Sequence, residues 1–398
     1  MLRDVSLEKA QELILEGLSA LPAEQVPLSD SLGRVLAEDL LAPEDLPPNP
    51  QSAVDGFALG DGQCPIESTF SIQGYLGLGD FTDRTLMSGE AHGVLTGGTL
   101  PVGTKAVVPH ERTGVQEKVL TVLEPIKPGN NIKKAGEDFS TGQLLVAKGD
   151  TLDPGALAVL AAFGIGQIPV HRKPRVALIS LGHNIIAWDQ NPQLGQTRDS
   201  NAPLLAALVK QQGGLVVACQ QAQDSGASIN LIKELLKDVD LLISTGGTYT
   251  QGDIDVHRAW ESLGAKMLYW GAALMPGSHT GAARMGSQLL LALSGNPGGC
   301  AVGYQLLASP VLRAMQGRNP AAMRVSACCI NGFNKKSGSR RFVRGHAVYT
   351  GRGWEVSALP GQKPSMLRSL ISCNALIDVP SGSSELEPGA SVAILLLE

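Results

Sequence analysis

The stretch Arg175–Ser180, which reads RVALIS, is a short and largely apolar run that leads into a glycine-containing loop. A run of this kind predicts a strand that is buried on both faces of a sheet. Three similar runs follow, and an amphipathic helical pattern lies between each pair: Leu215–Cys219, Asp240–Ser244 and Leu289–Leu293. Strands that alternate with helices in this way predict a doubly wound parallel α/β domain over residues 174–318.

Two zones of β character lie on either side of this domain. Residues 51–139 contain short runs of β-forming residues separated by Gly, Pro and Asp, which is typical of an all-β module. Residues 319–398 return to strand patterns, with one helical turn expected near Ser365–Ser372. A small β-barrel or sandwich fits this last zone.

The N-terminal segment predicts a helix over residues 5–21, because apolar residues recur there at helical spacing and Ser6 can cap it. The connector Pro43–Pro50, PEDLPPNP, can form neither a helix nor a central strand, so we expect a domain boundary there. A second helix is expected over Pro154–Phe163, where the N-terminal module would resume after the β module.

Composition narrows the class of protein. The chain has 398 residues, 43% of them hydrophobic and 17% charged, which predicts two to four folded units. Its longest apolar run, Ala156–Phe163, is too short to span a bilayer, so we expect no membrane segment. A net charge of −5 gives no support for nucleic acid as a partner. Six cysteines without a Cys-x-x-Cys pair, and an N-terminus without an apolar signal segment, favour a cytoplasmic protein.

Ligands of open parallel sheets bind at the carboxyl ends of the strands. Three loops at these ends are expected to meet: Leu181–Asn184, Thr245–Asp255 and Ser294–Gly299. The last two combine glycines and backbone N–H groups with a helix N-terminus, which suits an anion, so a phosphate-bearing ligand is predicted. Glycines that follow a strand are also common in simple turns. Because two such loops occur in one sheet, we favour a ligand-binding role over simple turns.

Charged residues in loops form two further sets. Acids in such loops commonly cap helices or turns, but in one cleft they could hold Mg²⁺, or a hydrated oxyanion through the metal. This acidic set is Asp55, Asp138, Asp199, Asp224 and Asp255. A basic set in the C-terminal zone is either a solvated hairpin or a group that steers an anionic substrate. It consists of Lys335, Lys336, Arg340, Arg341 and Arg344.

The motif Ser52–Ala58, SAVDGFA, resembles the S-A-M-D-G-Y-A motif of the molybdopterin molybdotransferase family, which includes the gephyrin E domain. Further motifs match the family's order and spacing over essentially the whole chain. They include Thr96-Gly97-Gly98, Gly136-Glu137-Asp138, Asp199-Ser200-Asn201, Ser244-Thr245-Gly246-Gly247, Gly295-Asn296-Pro297 and Ser365-Met366-Leu367. On these motifs the chain is identified as a member of that family.

The resemblance implies an elongated homodimer of four-domain chains. Residues 1–44 and 140–173 would form a discontinuous linear domain for dimerisation, and residues 45–139 a β domain inserted between its halves. Residues 174–318 would form the molybdopterin-binding α/β domain, and residues 319–398 a C-terminal β-barrel. In the family the cleft lies between the α/β domain of one subunit and the Asp55-bearing domain of the other.

The implied activity is insertion of molybdenum from molybdate into adenylylated molybdopterin, with Mg²⁺ and release of AMP, in molybdenum cofactor biosynthesis. Other implied partners are a molybdopterin adenylyltransferase or a recipient molybdoenzyme. The catalytic residues would be Asp55, Asp138, Asp224 and Asp255. The ligand-binding residues would be Thr96, Asp199, Ser200, Gly246, Gly247, Arg284, Gly295, Asn296 and Pro297.

The chain departs from the family pattern around the ligand. The family reads S-T-G-D-E after the first strand, whereas Ser180–Asn184 reads SLGHN and lacks both carboxylates. The family also has K-x-x-x-K-P-G-K-P, and the corresponding Gly271–His279, GAALMPGSH, has none of the three lysines. Each lost ammonium group would have contributed about 1–3 kcal/mol to binding of a dianion. Arg284, His183 and His279 are the nearby candidates to replace them.

These departures leave two alternatives beside the transferase. The first is a catalytically weakened or inactive paralogue that binds or carries molybdopterin or the molybdenum cofactor as a scaffold. The second is an enzyme that acts on a different phosphorylated substrate, with His183 as its acid or base.

Overall fold

The computed structural model describes residues 1–248, 254–334 and 338–397. The chain divides into two compact units. The first comprises Met1–Ala37, Gly149–Leu152 and Ile168–Glu398, and the second comprises Glu38–Lys148 and Asp153–Gln167. Among the described residues, no helix has the length and apolar character needed to cross a membrane.

The first 173 residues contain many short strands and two helices. In chain order these elements are β1 Leu2–Val5, α1 Leu7–Leu15, β2 Ala23–Pro27, β3 Leu40–Leu41, β4 Gln51–Ser52, β5 Gly56–Leu59, β6 Thr69–Tyr75, β7 Glu90–Val94, β8 Ala106–Pro109, β9 Thr113–Gln116, β10 Val119–Val122, β11 Ile132–Lys133, β12 Leu144–Val146, α2 Pro154–Ala162 and β13 Gln167–His171.

Helix α1 begins where the sequence predicts and ends earlier. The Ser6 hydroxyl accepts a hydrogen bond from the Lys9 amide and caps the helix. The helix ends at Leu15, not at residue 21, because Gly17 adopts a left-handed conformation with φ +67°. Leu18 beyond this turn still packs against the core of the first unit.

The second unit is built on a six-stranded sheet with the order β8-β5-β7-β6-β10-β9. All neighbouring strands are antiparallel except β6 and β7. The core of this sheet includes Phe57, Phe70 and Leu120, each at most 4% exposed. The β character predicted for this part of the chain is therefore present.

Residues 174–318 alternate between strands and helices as the sequence predicts. The elements are β14 Arg175–Leu181, β15 Ile185–Ile186, β16 Thr197–Arg198, α3 Asn201–Gln211, β17 Leu215–Ala222, α4 Ser225–Leu235, β18 Leu241–Thr245, α5 Val256–Ser262, β19 Lys266–Ala272, β20 Leu274–Met275, β21 Gly281–Met285, β22 Gln288–Leu293, α6 Pro297–Gly303 and, after a π-helical segment at Tyr304–Ala308, α7 Ser309–Met315.

The central sheet of the first unit has seven strands in the order β1-β19-β21-β22-β18-β14-β17. The four predicted strands form its contiguous parallel half, β22-β18-β14-β17. These pairings confirm the predicted parallel α/β arrangement, and the additional strand β21 runs antiparallel to both of its neighbours. Apolar clusters cover both faces: Ala10 and Leu205 lie on one side, and Ile232 and Trp260 on the other. The domain is therefore doubly wound around a mixed sheet.

The C-terminal zone is a closed β-barrel. Its strands pair in the ring β24-β25-β23-β27-β26 and back to β24, and β20 adds to β24 from outside the ring. Phe342, Leu376 and Leu395 of these strands belong to the same buried cluster as one face of the central sheet. The strands are β23 Arg324–Cys329, β24 Arg340–Thr350, β25 Gly353–Ala358, β26 Ala375–Val379 and β27 Ala390–Leu396.

We predict that Leu291→Ala lowers the free energy of unfolding of the first unit by about 2–5 kcal/mol, because it leaves a cavity under the fully buried strand β22. Urea unfolding followed by tryptophan fluorescence measures this unit alone, since all four tryptophans lie in it. Leu194→Ala is the matched control, because that side chain is fully exposed. Equal losses in the two variants would contradict the assignment of Leu291 to the core.

Candidate functional site

The parallel strands end at one edge of the central sheet, here called the carboxyl edge. It is reached at Leu181 in β14, Ala222 in β17, Thr245 in β18 and Leu293 in β22. Strand β19 runs in the same direction, since it is antiparallel to β21, which is antiparallel to β22. The segment that follows β19 therefore emerges at the carboxyl edge too.

Two glycines bring the loops after β18 and β22 into direct backbone contact. A Cβ added to Gly295 would lie 3.2 Å from Gly246 Cα. Gly246 itself has φ +84°, and a Cβ there would lie 2.2 Å from the carbonyl oxygen of Leu181. The Gly246 amide donates a hydrogen bond to the Leu293 carbonyl at 3.3 Å. Only glycine fits at position 246, so these loops are joined at a point where no side chain can intervene.

Asn201, the first residue of α3, links the same two loops. Its Nδ2 donates to Thr245 Oγ1 and to the Gly295 carbonyl, both at 2.8 Å, and Thr245 Oγ1 donates to the Ser294 carbonyl at 3.0 Å. Asn201 Oδ1 is buried and has no hydrogen-bond partner among the described residues. The sequence analysis named Asn201 only within a motif, since its spacing does not reveal these contacts.

Three of the predicted acids cap helices that begin at the carboxyl edge. Asp199 is 4% exposed and accepts hydrogen bonds from the amides of Asn201 and Ala202, both at 3.0 Å, beside Ser200 at the start of α3. Asp224 accepts from the Ala227 amide at 2.7 Å at the start of α4. Asp255 accepts from the amides of His257 and Arg258 at the start of α5. Helix capping therefore occupies each of these carboxylates.

The described residues contain no group of three or more His, Cys, Asp or Glu side chains that could hold a metal ion. Asp199, Asp224 and Asp255 start three different helices and do not converge on one point. None of these three carboxylates therefore belongs to such a group among the described residues. Asp253, in the loop before α5, lies outside the described residues.

The loop after β22 has fewer free N–H groups than the sequence analysis expects. Pro297 has no N–H, the Gly298 amide donates to the Pro364 carbonyl at 2.8 Å, and the Asn296 amide donates to Ser294 Oγ at 3.3 Å. Two of the amides at the start of α6 therefore already have protein partners. The C-terminal barrel supplies Pro364 and so covers the start of this helix.

A buried arginine fixes this contact between barrel and helix. Arg344 is 1% exposed and donates to Ser369 Oγ at 2.7 Å, to the Gly361 carbonyl at 3.2 Å and to the Gly298 carbonyl at 3.4 Å. Burial lowers the pKa of its guanidinium below the usual value. Arg344 is thus a structural member of the basic set and not a solvated one.

Arg284 does not lie with the ligand loops. It pairs with Leu289 near the start of β22, at the edge of the sheet opposite the carboxyl edge. Its Nη2 donates to the carbonyls of Ile14 and Glu16 at 3.0 and 2.6 Å, which satisfies the C-terminus of α1. The sequence analysis expects Arg284 to replace a lost lysine at the ligand. Because β21 runs antiparallel to β22, Arg284 lies at the opposite edge of the sheet, so this expectation is corrected. The two histidine candidates, His183 and His279, are both exposed.

The remaining predicted residues lie in the second unit. Asp55 accepts hydrogen bonds from the amide and hydroxyl of Thr96 at 2.7 and 2.9 Å. These bonds, the backbone one foremost, hold the pKa of Asp55 below its usual range, so the carboxylate is charged at neutral pH. Asp55 lines a cleft with Phe57 and His110, whose rings stack at 5.9 Å. Asp138 is exposed in a separate loop.

The rest of the basic set is divided. Lys335 and Lys336 lie outside the described residues. Arg340 forms ion pairs with Asp378 and Glu8. Arg340, which is ion-paired, and Arg344, which is buried, are therefore not residues of a solvated hairpin.

The fold and the carboxyl edge define a class: a multidomain α/β protein with glycine-rich loops at the strand ends of its central sheet. Family models match along the chain, as the MoeA N-terminal region (domains I and II) at residues 5–164, a probable molybdopterin binding domain at 177–314 and the MoeA C-terminal region (domain IV) at 328–397.

Full-length relatives agree with these matches. The molybdopterin molybdenumtransferases of Staphylococcus aureus and Staphylococcus epidermidis are each 31% identical, and the alignments cover 99% of this chain and 96% of each relative. Two solved structures of MoeA molybdopterin biosynthesis proteins from Pyrococcus horikoshii superpose with TM-scores of 0.88 and 0.81 at 27% and 25% identity. They cover 99% of this chain and 99% and 100% of their own chains. The chain therefore belongs to the MoeA family.

We predict that Gly246→Ala destabilises the first unit by more than the about 1–2 kcal/mol that a left-handed backbone alone costs an alanine. The added methyl group would collide with the Leu181 carbonyl. Gly264→Ala is the matched control, because Gly264 has φ +82° with no atom within 4 Å of the added Cβ. Urea unfolding measures both variants. If they lose the same stability, close packing of the loops is not the constraint at position 246.

We predict that Thr96→Val raises the pKa of Asp55, because the variant loses the hydroxyl donor and keeps the backbone donor. The Asp55 carboxylate would then take up its proton at a higher pH as the solution is acidified. A carboxyl-carbon NMR titration measures this. Thr141→Val is the control, since Asp45 accepts from the amide and hydroxyl of Thr141 in the same way, at 2.7 and 2.8 Å. An unchanged Asp55 titration would show that the hydroxyl bond does not stabilise the carboxylate.

Proposed function

We propose that the protein is a molybdopterin molybdenumtransferase of molybdenum cofactor biosynthesis. Its substrates are molybdate and adenylylated molybdopterin, and it inserts molybdenum into the molybdopterin with release of AMP. The observation that carries the proposal is the correspondence with molybdenumtransferases over 99% of the chain and 96% of their length. The carboxyl edge supports it, since its glycine-rich loops suit a phosphate-bearing ligand.

The described residues suggest how the two ends of the substrate are held. Gly246, Gly247 and Gly295 belong to the loops at the carboxyl edge, and we assign the backbone of these loops to binding of the phosphate. Asn201 holds the loops after β18 and β22 together through its side-chain amide. Asp55 contributes a carboxylate that stays charged at neutral pH. We assign these residues to substrate binding and, for Asp55, to catalysis.

We further propose that the protein is a cytoplasmic homodimer and that the reaction uses Mg²⁺. Mg²⁺ in proteins is commonly held by one or two carboxylates together with substrate phosphates. Since the described residues form no metal site of their own, the substrate phosphates would be its main ligands here. Asp138, Asp224 and the loop residues Ser200, Asn296 and Pro297 remain proposed contributors to the site.

A second candidate function is a carrier that binds molybdopterin without transferring the metal. The observation that favours it is the uncharged segment Gly271–His279, which emerges at the carboxyl edge without a lysine or arginine. A site with fewer cationic side chains stabilises a dianion less well. It also has fewer fixed positive charges to stabilise the transition state of metal transfer.

The experiment is AMP release from adenylylated molybdopterin by the purified protein, with Mg²⁺ and with or without molybdate. Molybdate-dependent release is expected. Tight binding of the adenylate without release would identify a carrier, and absence of binding would refute both functions.

In this assay we predict that Asp55→Asn lowers the rate of molybdate-dependent AMP release by about a hundredfold or more, in the range of losses at positioned acid–base groups. The amide keeps the size of the side chain and removes its charge. Asp45→Asn is the matched control, because Asp45 makes the same hydrogen bonds to a threonine. A similar loss in both variants would indicate a structural role for Asp55.

A further inference from the structure

The segment Gly271–His279 is part of the carboxyl edge and contains no lysine or arginine. It follows β19, and its Gly277 packs against the start of α6, where an added Cβ would lie 3.0 Å from the Gly299 carbonyl oxygen. It therefore lies beside the loop after β22. An anion bound here needs a cation from another part of the chain.

The C-terminal barrel brings an arginine to this segment. Strand β20 pairs in parallel with β24, so that Met275 is opposite Arg341. Arg341 Nη2 lies 4.0 Å from Met275 Sδ, and Met275 is 38% exposed. The guanidinium group thus lies at the surface of the uncharged segment.

Arg341 is held in place without a partner that neutralises it. Its guanidinium carbon lies 6.0 Å from the centre of the Phe333 ring, and its Nε is buried without a hydrogen-bond partner among the described residues. Its neighbours on β24 differ, since Arg340 pairs with two carboxylates and Arg344 donates to backbone carbonyls and a serine. Within the described part of the chain, Arg341 is the arginine of β24 whose guanidinium has the Met275 sulfur and no oxygen atom as a hydrogen-bond partner.

We propose that Arg341 binds a tetrahedral oxyanion at the carboxyl edge, either a phosphate group of the substrate or molybdate itself. A guanidinium group presents a planar pair of donors that fits two oxygens of such an anion. Met275 contacts Arg341 through an uncharged sulfur and does not neutralise the positive charge of the guanidinium group. The proposal rests on the proposed function for the identity of the anion, and on the geometry of β20 and β24 for its location.

Isothermal titration with molybdate and with inorganic pyrophosphate, in separate experiments, tests the proposal and distinguishes the two sources of the oxyanion. We expect Arg341→Gln to raise the Kd for at least one of these anions tenfold or more, about the effect of a lost charge-assisted hydrogen bond. Arg352→Gln is the matched control, because it removes the same charge from the exposed turn between β24 and β25.

Two further variants test the proposal even if Arg341→Gln disturbs the local structure. Met275→Glu places a carboxylate beside the unchanged Arg341, and we expect it to weaken anion binding as well. Met275→Lys in the Arg341→Gln background restores a cation at nearly the same place, and we expect it to recover binding. Unchanged binding in Arg341→Gln and Met275→Glu, or a loss found instead in Lys363→Gln on the loop that covers α6, would overturn the proposal.

The AMP-release assay separates this proposal from the proposed function. Molybdate-dependent release in the wild type, together with unchanged anion binding in Arg341→Gln, would overturn the role of Arg341 and leave the transferase standing. Anion binding that depends on Arg341, in a protein that releases no AMP, would support the role of Arg341 and refute the transferase. A wild type that binds neither anion would overturn the role of Arg341.

Discussion

The contact between the backbones of Gly246 and Gly295 is the constraint on which the carboxyl edge depends. Because these two loops touch without side chains between them, Thr245 and Ser294 come within hydrogen-bonding distance at 3.0 Å. Asn201 can then reach both loops from the start of α3. One close approach of glycines thus fixes the positions of two strands and one helix at the place where a ligand would bind.

The barrel extends this arrangement through a buried cation. Arg344 has no carboxylate partner among the described residues and is held by carbonyl and hydroxyl oxygens, which stabilise its charge away from water. Among these oxygens is the Gly298 carbonyl, and the Pro364 carbonyl accepts from the Gly298 amide. Both groups of one glycine are therefore used to attach the barrel to α6. As a consequence, the N-terminus of α6 has fewer N–H donors for an anion, so binding of an anion there depends more on cationic side chains from neighbouring strands.

Much of the fold can be predicted from the sequence, because continuous apolar runs such as RVALIS belong to strands buried on both faces. Strand β21 was missed since GAARM has no β-branched or aromatic residue, and it forms a strand only because β19 and β22 lie on either side. The direction of β21 cannot be predicted from its own five residues, so the sequence analysis places Arg284 at the carboxyl edge, whereas it lies at the opposite edge. The strand-end loops were predicted correctly as neighbours. The sequence analysis gives helix capping as one of two roles for Asp224 and Asp255. The structure shows capping, because backbone amides at the starts of α4 and α5 donate hydrogen bonds to these carboxylates.

The cluster of buried residues shared by the central sheet and the barrel has a consequence for how the chain is made. Val5 and Leu7 near the N-terminus and Leu395 near the C-terminus belong to this one cluster. During synthesis Val5 and Leu7 leave the ribosome long before β27 does, so this side of the sheet stays open until Leu395 has been added and has emerged. The apolar face of β18 and β22 must then be kept from other chains by fast closure or by chaperones. The second unit, whose segments Glu38–Lys148 and Asp153–Gln167 are complete much earlier, carries no such delay.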